Sequence, residues 1–166
     1  MRRTVPIRLF AVAVAIGSVT AIPLSSPASA ATGASCSKLV SPPPVTIKGV
    51  ATSKSTVSGC TPLSATGGSG KSVTQIGVKV AGKVVTLSTT TWSGGKGTTT
   101  ETITYAPTKS LGKCPKGTSH ILSKATVTGG SGAALKAIPK GSKGQASVCV
   151  DSKSAATLEP GTKYVF

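Results

Sequence analysis

Few residues of this chain could do chemistry, and half of those are cysteine. Cys36, Cys60, Cys114 and Cys149 stand beside a single histidine, His120, and three acids, Glu101, Asp151 and Glu159. Four cysteines admit three pairings. No two are close enough to make the short knuckles of structural zinc sites, so oxidised pairs are expected rather than a metal. The local pairing, Cys36–Cys60 with Cys114–Cys149, gives each half of the chain its own staple. In the chain-entropy picture each staple is worth about 3–4 kcal/mol.

Catalysis has little to work with. A hydrolase would rest on His120, with Asp151 to orient it and one of the many serines as nucleophile. No Gly-x-Ser-x-Gly elbow nominates that serine, and a histidine opening a strand beside a turn is ordinary. Glycoside hydrolysis needs two carboxyls to face each other, and Glu101 is expected on a core-facing row of a hairpin. Gly67-Gly68-Ser69-Gly70-Lys71 lacks the spacing of a phosphate-binding loop. The sequence reads as a non-enzyme that calls for no cofactor and no metal.

The elements that must position these residues begin after an export signal. Arg2, Arg3 and Arg8 form a positive start, Leu9 to Ile22 an apolar stretch, and Ala28-Ser29-Ala30 a small-residue cleavage site. The apolar stretch is shorter than the roughly twenty residues of a membrane span. Residues 1–30 are therefore read as a signal peptide, 31–35 as a flexible mature terminus and 36–166 as one disulfide-stapled domain. Export to an oxidising, extracellular compartment agrees with the cysteines. The alternative is a lipid anchor on Cys36, for which Gly33-Ala34-Ser35 is a poor signal.

The chain carries a formal charge of +16, and its only arginines lie in the signal. Removing those three leaves +13 on scattered lysines. Without arginine forks, and with few aromatics, nucleic-acid recognition is not expected. Loose attraction to anionic cell-envelope polymers, or to another secreted protein, fits better.

Beyond the signal the vocabulary is Thr, Ser, Val, Gly and Ala, which is that of strands, and no window shows a helical period. Val45 to Lys48, Val73 to Val80, Ile121 to Thr128 and Ala146 to Val150 read as strands. The strongest hairpin signal joins Val84–Thr90 to Thr98–Tyr105 around a loop, Trp92 to Gly97. Pairing Val85 with Tyr105 and Leu87 with Ile103 would gather one apolar face and leave a threonine face to solvent. Ile76, Val78, Val80, Val85, Leu87, Ile103, Tyr105, Val148 and Val150 are the expected inward rows. Gly67 to Gly70 and Gly129 to Gly132 read as matching turns. The expected fold is all-β: a single antiparallel β-sandwich or flattened barrel of about eight to ten short strands with two disulfides.

At Val57-Ser58-Gly59-Cys60-Thr61, Thr102-Ile103-Thr104-Tyr105 and Leu158-Glu159-Pro160-Gly161-Thr162-Lys163 the chain resembles small secreted β proteins of actinobacteria with two cysteine pairs. That resemblance implies export and a β fold, and it brings no functional residue.

Three functions from different classes are compatible with this reading. The first is a non-enzymatic envelope or protein-interaction module. The alternative is a secreted inhibitor or antimicrobial factor presenting a rigid loop, either Trp92 to Gly97 or Gly112 to Thr118. A His120-dependent hydrolase is the weakest.

Overall fold

Alternation and β-branched composition become ten strands and one short helix over the residues that the computed structural model describes, 34–61, 68–108 and 114–166. The signal-peptide reading of residues 1–30 lies outside them. Ala31–Phe166 is a compact unit in its own right.

The wall is a closed antiparallel barrel of eight strands. Strand β1 (Ser35–Ser41) is followed by β3 (Val50–Thr61), β4 (Gly68–Val80), β5 (Lys83–Trp92) and β6 (Gly97–Pro107). The wall continues through β7 (Ser119–Ser131), β8 (Lys143–Val150) and β9 (Ala156–Leu158). Each of these from β3 onward pairs with its predecessor in the chain, and β1 closes the ring by pairing with both β3 and β9. Strand β2 (Val45–Ile47) extends the wall beside the top of β3. Strand β10 (Tyr164–Val165) resumes the line of β9 below an interruption, pairing with β1 and β8. Closure removes the exposed edges that an open sheet would offer.

Both disulfides have the expected local pairing. Cys36 and Cys60 face each other across the β1–β3 seam where the ring closes, and Cys149 ties β8 to the segment leading into β7. Cys36 thus commits its sulfur to Cys60, so the lipid-anchor alternative loses its attachment atom. The ordered domain also starts earlier than expected. Ala34 is fully buried and β1 begins at Ser35, within the stretch read as flexible.

The hairpin register differs by one residue from the expected one. Thr86 faces Ile103, Ser88 faces Glu101 and Thr90 faces Thr99, while Trp92 pairs with Gly97 across a shorter loop. Ser88 and Thr90 are buried, and they point into the barrel with Trp92. Val85 and Leu87, expected inside, lie on the outer wall. In β4, Ile76 does line the interior, but the register shifts between Gln75 and Val78, where Gly77 takes φ 73°. That bulge turns Val78 and Val80 outward, and Val80 is 46% exposed. Ile103, Tyr105, Val148 and Val150 line the interior as expected.

The described parts of the glycine-serine tetrapeptides are strand, not turn: Gly68 to Gly70 opens β4, with Gly67 outside the described residues, and Gly129 to Ser131 ends β7. The latter leads into a helix that the sequence does not announce, α1 (Gly132–Ala137). Two turns or fewer cannot display a helical period. This helix brings Ala134 and Ile138 under the barrel, where they pack with Trp92, Val127, Val57 and Tyr164. Gly70 is required there, because a Cβ would stand 2.7 Å from Thr90 and 3.1 Å from the Trp92 ring. One end of the barrel is therefore plugged, and among the described residues the other is open.

Candidate functional site

Above the plug the barrel encloses a cavity of about 290 Å3. Its two walls have different chemistry. Strands β1, β3, β4 and β5 contribute Ser41, Ser53, Ser55, Ser72, Thr74, Ser88 and Thr90, a sheet of hydroxyls. The opposite wall, from β7 and β8, is mainly Ile121, Val148 and Val150, with Ser123 among them, and Leu39 and Ala156 lie alongside. Ile76, Tyr105 and Pro44 stand at the mouth.

The hydroxyl wall is internally bonded. Ser72 pairs with Thr90 at 2.7 Å and Thr74 with Ser88 at 3.0 Å, each pair spanning β4 and β5. Ser55 donates to Ser41 at 2.9 Å, Ser41 and Ser53 share a bond of 2.8 Å, and Ser53 also donates to the Pro42 carbonyl. No buried side-chain polar atom among the described residues lacks a partner. A hydroxyl has one donor and two acceptor sites, so this wall keeps acceptor capacity toward the cavity.

Glu101 forms the floor. It is 2% exposed, and its two carboxyl oxygens accept separate bonds, from Thr99 Oγ1 at 3.0 Å and from Tyr164 Oη at 2.7 Å. The Thr99 hydroxyl in turn accepts from Trp92 Nε1 at 3.2 Å, which links the floor to the plug. Burial raises the Glu101 pKa above the ordinary 4.5, and the bonds from Tyr164 and Thr99 offset part of that rise. Tyr164 is pushed well above the usual phenol value by burial first and by the Glu101 charge second. The sequence places Glu101 on a core-facing row, as observed. Its partner Tyr164 lies far along the chain, and no local pattern joins the two.

The residues that a hydrolase would use lie elsewhere, on the outer wall. His120 and Cys149 face each other between β7 and β8. His120 Nδ1 lies 3.2 Å from Glu159 Oε1, not beside Asp151. Ser147 donates to the other Glu159 oxygen. The acid therefore sits between histidine and serine, whereas a nucleophilic relay needs the histidine in the middle. Asp151 instead holds a turn, accepting from the backbone amides of Lys153 and Ala155. Cys114, His120 and Glu159 bring one ligand atom each within 4.8 Å of one another. Because Cys114 is bonded to Cys149, it has no thiolate to offer a metal.

The two loops nominated for an inhibitor fare differently. Trp92 is buried as the plug, which reduces the first loop to Ser93 to Lys96. In the second, Gly112 and Lys113 lie outside the described residues, and Cys114 is tied down by its disulfide.

No family model matches the chain, and no curated protein or solved structure is significantly similar to it.

Proposed function

We propose that this chain is a non-enzymatic binding protein, exported to an oxidising compartment, that takes one small amphipathic molecule into its barrel. The observation that carries this reading is the two-faced cavity, with hydroxyls on one wall, aliphatic side chains on the other and Glu101 beneath. Eight strands are the number at which an antiparallel barrel has room for one small ligand. A volume of about 290 Å3 is at the lower edge of ligand pockets, which run from about 300 to 1,000 Å3. Water suits the hydroxyl wall but not the aliphatic one. A molecule with a polar edge and an apolar body suits both.

The walls also select charge. Glu101 and two tyrosines are the ionisable groups among the lining residues, and no described lysine reaches inside. An anion would meet a buried carboxyl with no cation to answer it, so the favoured ligand is uncharged or cationic. The Cys36–Cys60 disulfide holds the ring shut at its seam, in the oxidising surroundings that such bonds require.

The test is a titration of the disulfide-bonded barrel with N-phenyl-1-naphthylamine, an uncharged dye that fluoresces in apolar surroundings. We expect saturable binding at one dye per chain. Ile121→Phe and Val148→Phe, made separately, each fill the cavity and should weaken binding by about tenfold or more while unfolding stays cooperative. Absence of stoichiometric binding, or equal binding by both folded variants, would overturn the reading.

A further inference from the structure

We propose that the open end of the barrel docks on an anionic lipid surface through an apolar shoulder fringed by lysines. Two hairpins project there, β2–β3 and β4–β5. Each turns through two residues with positive φ, Lys48 (49°) with Gly49 (78°) and Ala81 (47°) with Gly82 (79°). Such turns match the strand twist and hold a hairpin tip rigid.

Both tips carry exposed aliphatics. Val45, Ile47, Val80 and Val84 are 56%, 42%, 46% and 67% exposed. Val45 and Ile47 share the outer face of β2, Val80 and Val84 flank the β4–β5 tip on its two faces, and the Ala51–Ile76 pair between β3 and β4 sets the two tips side by side. Single exposed aliphatics are ordinary, but four of them gathered at two neighbouring hairpin tips mark an interaction surface. The ligand reading does not explain it, since none of the four lines the cavity.

Charge selects the partner. Lys48, Lys79 and Lys83 stand on the same two tips, all exposed. Of the three acids in the chain, Glu101 and Glu159 are buried, and Asp151 caps its own turn between β8 and β9. No carboxylate lies on the shoulder to neutralise its lysines. A second copy laid on the patch would bring the same cations together. A layer of anionic headgroups receives the lysines while the valines and isoleucine enter the boundary beneath.

The experiment is cosedimentation of the disulfide-bonded 31–166 unit with vesicles of phosphatidylcholine, alone or with about a third phosphatidylglycerol. We expect binding to the anionic vesicles to be about tenfold tighter or more than to the neutral ones. Combining Val80→Asp with Val84→Asp should weaken it about tenfold, and combining Lys48→Gln, Lys79→Gln and Lys83→Gln should do at least as much. The triple change Lys136→Gln, Lys140→Gln, Lys163→Gln, away from the shoulder, should alter it less than about twofold. If that triple weakens binding as much as the shoulder triple, the attraction is diffuse and the proposal fails. It also fails if the Asp pair binds as the parent does. Sedimentation velocity supplies the remaining outcome: a dimer that the Asp pair dissolves would assign the shoulder to self-association instead.

Discussion

Burying Glu101 between Thr99 and Tyr164 takes a carboxyl out of water and returns two hydrogen bonds. Burial is the larger influence, so the folded protein holds this proton to higher pH than the unfolded chain does. Between the ordinary 4.5 and the raised folded value, the folded state therefore binds more protons, and stability falls as pH rises through that interval. Glu101→Gln keeps the shape and removes the titration. Urea unfolding at pH 4.5 and pH 7 should show the parent losing stability across the interval, and the variant losing less, by about 1 kcal/mol or more. Equal slopes for the two proteins would mean that the floor carboxyl is ionised and adequately solvated as it stands. The same residue shows what a sequence discloses at this scale. Alternation in β6 puts Glu101 on the inner row with Ile103. That Tyr164 would be its donor depends on β10 reaching the wall beside β1 and β8, which is a property of the closed ring.

Strand β5 is the element in which pattern and structure part. Its two rows, Val85 and Leu87 or Thr86, Ser88 and Thr90, alternate equally well, and periodicity cannot say which faces inward. Hydrophobicity favours the valine row, but the barrel follows another logic. The short hydroxyl side chains bond to their neighbours across β4 and leave a cavity, while Trp92 at the strand's end must turn in to plug the floor. Once Trp92 points inward, a strict period of two carries Thr90 and Ser88 with it. The disulfide pairing and most of the strand positions were legible because they rest on local spacing and composition. Strand β1 was not legible, since it gains its partners only from chain segments far away. Nor was the Gly77 bulge, which reverses the outer half of β4. Two substitutions separate the alternatives for β5. Leu87→Asp, on the outer wall, should cost about 1 kcal/mol, a strand-propensity effect. Ser88→Asp puts a second carboxyl opposite Glu101 in the interior and should cost more than about 3 kcal/mol. Chemical unfolding of both proteins decides it, and the reverse ranking would restore the valine row to the inside.

At the scale of the whole molecule the governing property is one-signed charge on a small closed surface. Thirteen of the fourteen described lysines are exposed, while two of the three acids are buried, so the surface holds little to balance them. Salt should then act on this protein in two opposite directions. Folding brings the lysines closer together than they are in the unfolded chain, so their mutual repulsion opposes the compact state. Raising sodium chloride shortens the screening distance from roughly 10 Å at 0.1 M to about 3 Å at 1 M, and this repulsion fades. The barrel should gain on the order of 1 kcal/mol, read as a rise of about 4 °C in its thermal midpoint. The attachment proposed for the shoulder draws on three of these lysines, Lys48, Lys79 and Lys83, and should weaken over the same range of salt. Differential scanning calorimetry beside the vesicle assay, at matched concentrations of sodium chloride, tests both signs at once. A midpoint that falls while binding also falls would show that salt acts by loosening the barrel. A midpoint that rises as binding falls is what a rigid cationic barrel, held to its surface through exposed charge, must give.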